Sequence, residues 1–336
     1  MNAMSSELID RQHLSDGSRP AVAVRLFGWL ILGTLAAFLI NGYLTYVRGW
    51  PGAAAVLRGA GGAFPWLQIA LYGVTAALVI SYVLKSSDLP LRIDAQRITR
   101  FNAWLVRAAF WSVLFVGIVD AAISFLRVEG MLEHYAGAAL TTELGRAQYR
   151  GPVVHLPLIA LGLVFATFTR TLGFTWLALL VVLAELLIVL ARFIFSYEQA
   201  FMGDLVRFWY AALFLFASAY TLIDEGHVRV DVLYAGMKGT TRGMVNAIGS
   251  IVLGVTFCWT ILIVGMGNKA SIIISPLINF EVSQAGFGLY VKYLMAGFLA
   301  IFAITMMIQF VSYMFEAVAD WRGEPGAREA TGSSAH

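Results

Sequence analysis

The sequence predicts an all-α polytopic membrane protein of about eight transmembrane helices, with a short interfacial helix before the sixth. Three observations carry this. Sixty per cent of the 336 residues are hydrophobic and 13 % are charged, with mean hydropathy +0.78, a balance wrong for a water-soluble domain. The apolar residues fall in runs of roughly 20, the length that crosses a hydrocarbon core of about 30 Å as helix. Aromatic residues mark many run ends: Trp50, Trp66, Trp104, Trp176, Trp209 and Trp321 suit interfacial belts. The bilayer is therefore the first partner. The net charge of +3 is small, and the basic residues lie between runs rather than in a patch, which argues against nucleic acid.

Met1 to Pro20 is polar and reads as a disordered cytoplasmic tail. It is not a cleaved signal peptide, because the run that follows is too long for one. Eight apolar runs come next: Leu26–Val47, Phe64–Leu84, Ala108–Leu126, Val153–Phe168, Phe174–Ala191, Phe208–Ile223, Val245–Met266 and Tyr293–Tyr313. Pro157 lies near the start of the fourth, where a helix tolerates it best. If all eight span and the N-terminus is inside, 14 of the 23 Lys and Arg residues fall on the inner side. That bias puts both termini in the cytoplasm. The loop from Arg127 to Gly151 is the longest outer one and reads as a short helix or turn on the membrane surface.

Ionisable residues inside runs are expensive and face protein or find a partner. Glu185 is in the middle of the fifth run, with Arg192 seven residues on along the same helical face. Asp120 in the third run has Arg127 at the same spacing. Each pattern admits a structural pair or protonated acid, a proton or sodium relay, or contact with another subunit. Cys258, the one cysteine, sits inside an apolar run as a small packing residue and excludes an internal disulfide. Gly249, Gly254, Gly265 and Gly297 suit close helix packing. There is no metal-ligand spacing, nucleophile elbow or phosphate loop, so neither catalysis nor a cofactor is expected.

The densest polar knot lies between the sixth and seventh runs, at Gly226-His227-Val228-Arg229-Val230-Asp231. On physics alone it is a helix end closed by Gly226, followed by juxtamembrane polar groups. The order of motifs adds to this. Ala191-Arg192-Phe193-Ile194-Phe195 is followed by Glu198, then Asp204-Leu205-Val206-Arg207, an apolar helix, and the knot itself. This order resembles the small membrane subunit of tripartite ATP-independent periplasmic (TRAP) transporters, the DctQ-type component. The resemblance runs from about Phe174 to Trp321, and Gln309 also fits it. Residues before Gly173 are an addition to the plain pattern, similar to the extended small subunits of TRAP systems for 2-oxo acids or mannitol/chloroaromatic-type substrates.

The resemblance implies four segments: a tail (1–20), a membrane extension of about four helices (21–172), a DctQ-like four-helix membrane domain (173–321) and a second cytoplasmic tail (322–336). It implies residence in a bacterial inner membrane and two protein partners, a large permease subunit and a periplasmic solute-binding protein. The chain itself would be the non-transporting scaffold for the large elevator subunit in sodium-coupled uptake of organic anions. It would also form part of the docking surface for the binding protein. The implied assembly residues are Glu185, Arg192, Glu198, Asp204, Arg207, His227, Arg229 and Asp231. The link from Glu198 to Arg207 would be the interfacial helix, with Phe201, Leu205 and Phe208 toward lipid. Two other classes stay open. An autonomous secondary transporter would show internal repeats with interrupted helices, and no repeat joins the halves here. A haem or quinone redox anchor would need ligands deep in the bilayer, whereas His13, His134, His155, His227 and His336 lie at run ends, in loops or in tails.

Overall fold

The computed structural model describes residues 21–59, 61–170, 174–197, 200–223, 234, 236–282 and 288–326. Regular structure among them is helical. The helices are α1 (Val22–Tyr46), α2 (Ala63–Lys85), α3 (Leu91–Val128), α4 (Leu132–Leu144), α5 (Ala147–Phe168), α6 (Phe174–Phe195), α7 (Ala200–Ile223), α8 (Gly239–Met266), α9 (Ile274–Asn279) and α10 (Lys292–Trp321). All except the short α4 and α9 are long and apolar enough to cross a membrane, eight in total. Each of the eight expected runs lies in one of them. Part of the loop 127–151, expected on the outer side, folds as α4, kinked at Gly137. The expected tail 1–20 and the knot 226–231 lie outside the described residues.

The helices that start furthest ahead of their apolar runs are α3 and α7. α3 has 38 residues, about 57 Å of helix against a hydrocarbon core of about 30 Å. Its polar first turns are helical because Leu91, Ala95, Ile98, Asn102 and Val106 repeat at helical spacing and are buried. α7 begins at Ala200, so residues 200–207 are its first two turns and not a separate interfacial helix. The reason is the same. Phe201, Phe208, Ala212, Phe216 and Ala219 form one buried stripe, which carries the helix through the link. Phe201 and Phe208 therefore face the core rather than lipid.

The chain divides into two compact units. The first comprises residues 1–100, 227–258 and 307–336. In it, α1 and α2 form a hairpin tied at both ends. At one end Gln68, fully buried, donates to Thr45 Oγ1 (3.0 Å) and accepts the Gly52 N–H (2.9 Å). At the other, Arg25 Nε donates to Asp94 Oδ2 at 2.7 Å, and its other nitrogens reach the carbonyl and hydroxyl of Ser86. Trp29 Nε1 also donates to Asp94 (3.0 Å). The start of α3 runs antiparallel to the end of α10. Arg92 pairs with Asp320 (2.7 Å), and Ser312 donates to the Ala95 carbonyl (2.7 Å).

Beyond α10, Arg92 also holds the carbonyls of Pro325 (2.7 Å) and Glu324 (3.1 Å). Residues 322–326 are thus anchored, while 327–336 of the expected tail lie outside the described residues. Burial raises the Glu324 carboxyl above the usual carboxylate range, opposed by Arg322 and Arg92. Gly254 lies under the Phe310 ring, where a Cβ would come within 2.6 Å, so it serves close packing. Gly249 does not, since nothing lies within 4 Å of a Cβ there. Cys258 is buried and free.

The second unit comprises residues 101–226 and 259–306. Its centre is aromatic. Phe216 meets Phe110 at 5.7 Å and Phe298 at 5.0 Å between ring centroids, and Phe208 meets Phe298 at 5.2 Å. Gly117 makes room for Trp209, whose Nε1 would stand 2.2 Å from a Cβ. Gly265 is covered by Ile273 at 2.5 Å, as close packing requires.

The Arg25–Asp94 pair is fully buried, 0 % exposed on both sides. Asp94→Ala leaves the arginine uncompensated, which costs about 3–5 kcal/mol. Thermal unfolding of the detergent-purified full chain should show a correspondingly lowered midpoint. Arg97→Ala, removing a side chain 31 % exposed and 3.9 Å from the same carboxylate, should cost under about 1 kcal/mol. An Asp94→Ala protein as stable as the parent would eliminate the pair as an anchor.

Candidate functional site

Asp120 is the most completely bonded ionisable group of the second unit. It sits on α3, fully buried. Its Oδ1 accepts from Arg150 Nη1 (2.8 Å) and from His155 Nε2 (3.0 Å). Its Oδ2 accepts the Tyr290 N–H (2.8 Å). A carboxylate only accepts, so His155 Nε2 carries a hydrogen. In the neutral ring Nδ1 then accepts from the Tyr293 hydroxyl at 2.7 Å.

Local sequence explains how α5 delivers two of these donors. Arg150 ends the first turn of α5. Gly151 to His155 follow as a π-turn with proline near its start, and such a turn shifts the face on which later residues lie. Gly151 is required there, because a Cβ would meet the Phe280 ring at 2.4 Å. The Arg150 guanidinium also donates to the Leu144 carbonyl (2.9 Å) and lies over the Tyr290 ring, 4.2 Å from its centroid. The Tyr290 hydroxyl donates to the Gly145 carbonyl (2.8 Å) and accepts from Arg127. Asp204 does a similar job beside it. Its Oδ2 accepts the Leu289 N–H (3.2 Å), and Arg207 lies 3.6 Å away.

One of the readings the sequence left open paired Asp120 with Arg127 on the same helix. The structure corrects this: Asp120 pairs with Arg150. Seven residues are about 10.5 Å of helix rise, and Arg127 instead reaches Tyr290. Arg150, His155, Tyr290 and Tyr293 were not foreseen as site residues. The only signal was that each stands beside a run boundary, next to Pro152 or Lys292.

The sequence-derived assembly residues do not join this cluster, apart from Asp204 and Arg207 nearby. Arg207 is 76 % exposed and Asp204 15 % by side chain. Glu185 and Arg192 both lie exposed on α6. Glu198, His227, Arg229 and Asp231 lie outside the described residues. Around Glu185 the outward face of α6 is apolar, with Val182, Leu186 and Val189 exposed at 65 %, 51 % and 47 %.

Chemically, the cluster can hold and balance charge but offers no nucleophile. Among the described residues no three His, Cys, Asp or Glu side chains converge as a metal site. The fold and its buried charges define a multi-pass α-helical membrane protein. Residues 178–320 match the family described as tripartite ATP-independent periplasmic transporters, DctQ component. Over these residues the chain is similar to the DctQ component of that family. No curated protein and no solved structure matches the chain.

Asp120→Ala should cost about 3–5 kcal/mol by leaving Arg150 buried and unpaired. Asp120→Asn, which still accepts the Tyr290 N–H, should fall between it and the parent. In a double-mutant cycle, Asp120→Ala with Arg150→Ala should cost clearly less than the two single changes added together. Additive midpoints in thermal unfolding would mean the two groups are not coupled.

Proposed function

We propose that the chain is a non-transporting scaffold that holds the large elevator subunit of a TRAP transporter in the bacterial inner membrane. With a periplasmic solute-binding protein, the assembly takes up organic anions, carboxylates and 2-oxo acids among them, by sodium-coupled symport. The chain contributes to the docking surface for the binding protein and catalyses no reaction. Both termini are cytoplasmic. The DctQ match supports the subunit reading, and one observation in the structure carries the scaffold reading. Glu185 stands exposed in the middle of an apolar span, among side chains that suit lipid. A carboxylate facing hydrocarbon there is unfavourable by about 2.5–3.5 kcal/mol. A partner protein covering the α6 face removes that penalty by supplying a donor. Arg192 lies further along the same helix and serves the same contact, and Glu198, Asp204, Arg207, His227, Arg229 and Asp231 extend it.

Among the described residues the fully buried acids, Asp94 and Asp120, repel an anion, and the cations beside them, Arg25 and Arg150, are already neutralised by them. A desolvated carboxylate without donors meets a penalty of several kcal/mol.

Glu185→Leu should leave the isolated chain folded yet reduce co-purification of the large subunit about tenfold, the equivalent of one lost charged hydrogen bond. An undiminished yield of complex would remove α6 from the interface. Liposomes holding this chain alone should accumulate no labelled 2-oxo acid or dicarboxylate under a sodium gradient, with the three-part system as positive control. Uptake by the lone chain would promote the autonomous-transporter reading. Reporter fusions after Gly61, Thr141, Gly239 and Gly323 should read outside, outside, inside and inside. An outside signal at Gly239 would overturn the orientation.

A further inference from the structure

The second unit contains a half-enclosed cavity of about 370 Å³ between α3, α5, α7, α9 and α10. Interiors of folded proteins are close-packed, with few voids larger than a water molecule. An apolar cavity of about 150 Å³ is already large enough to take up benzene. This one is more than twice that size. Two polar side chains line it, Ser112 and Thr305. Both hydroxyls donate within their own helices, to the carbonyls of Ala108 (2.7 Å) and Ile301 (2.9 Å). A carboxylate, sugar or quinone headgroup would find no free side-chain donor there.

The dimensions narrow the occupant further. The lining on α3 runs from Leu105 to Val116, and on α10 from Leu294 to Thr305. Eleven residues of helix rise give a slot about 16 Å long, half of a hydrocarbon core of about 30 Å. That is the depth of one leaflet. At the wall formed by α5, the lining residue Leu163 is 39 % exposed, beside Leu156 and Val164, whose exposed apolar side chains suit lipid.

Gly297 is the most informative wall residue. The sequence suggested it for close helix packing, yet the approach is loose: a Cβ there would meet only Leu277 of α9, at 3.5 Å. Glycine within a helix is unfavourable by roughly 0.5–1 kcal/mol relative to alanine, and here no neighbour stands close enough to require it.

We infer that this slot is a binding site for one acyl chain of a membrane phospholipid, lodged between the N-terminal helices α3 and α5 and helix α10. The site is independent of whether the chain serves as a transporter scaffold.

The test is photolabelling of the full-length protein in its native membrane with a phospholipid carrying a diazirine in the acyl chain. Labelled peptides are then mapped by mass spectrometry. Labels should fall on both the 105–116 and 294–305 segments. Gly297→Leu, whose side chain grows into the slot, should reduce those labels at least tenfold while leaving labelling of the exposed α6 face unchanged. Its unfolding midpoint should match or exceed the parent's. Should Gly297→Leu not fold, Ala109→Phe narrows the slot from the opposite wall and should give the same loss.

An unlabelled slot in the parent overturns the inference, and so does labelling that Gly297→Leu leaves intact. Labelling by a diazirine fatty acid with none by the phospholipid would overturn the phospholipid assignment. In the assembled transporter, large-subunit side chains crosslinked into these segments in place of lipid would overturn it as well.

Discussion

A carboxylate in apolar surroundings has to collect donors or give up its charge, and Asp120 collects them from three places. Arg150 and His155 come from α5, and the Tyr290 N–H comes from the segment leading into α10. One buried charge therefore sets the register of α3, α5 and that segment together. The bonds around it reinforce the arrangement. Arg150 is held a second time by the Leu144 carbonyl and lies on the Tyr290 ring, and His155 is held from its far side by Tyr293. Moving any one of these segments would strand a polar group where water cannot replace its partner.

The same cluster joins residues on both sides of the family boundary. Tyr290 and Tyr293 lie within the matched residues 178–320, whereas Asp120, Arg150 and His155 precede them. Other bonds repeat the pattern: Asn102 donates to the Thr305 carbonyl (2.9 Å), and Arg92 pairs with Asp320. The preceding helices are thus part of the wall against which α10 is buried, and Ala303, Met307, Val311 and Phe315 on it are 0 % exposed. α6 differs: Leu177 and Ala184 are buried, but most of its apolar side chains and Glu185 are exposed.

Much of the fold was legible in the sequence because the bilayer ties composition to length. A helix that crosses about 30 Å of hydrocarbon needs about 20 apolar residues, and six of the eight runs, Leu26–Val47 through Tyr293–Tyr313, came close to that length; the fourth and sixth are short and become spans because α5 and α7 start before them. The motif order from Arg192 to Asp231 was equally readable, since it depends on residue identity and spacing alone. Less legible were the ends of helices. Leu91 to Arg107 looked like a polar connection because its charges hid a buried stripe. Glu198 to Arg207 looked separate from the sixth span because its apolar stripe is interrupted by Asp204 and Arg207.

What the sequence determined by itself was the class, the number of spans and the resemblance of residues 178–320 to a DctQ component, all properties of local composition and order. What only the tertiary structure decided was the pairing of charges. Asp120 meets Arg150 and His155, and Arg25 meets Asp94, 69 residues away. Gly297 lines a cavity, whereas Gly254 and Gly265 are covered by Phe310 and Ile273. The reason is physical. Helical periodicity says which residues share a face, but which face meets which depends on how whole helices are placed, and the partners of a buried charge come from that placement.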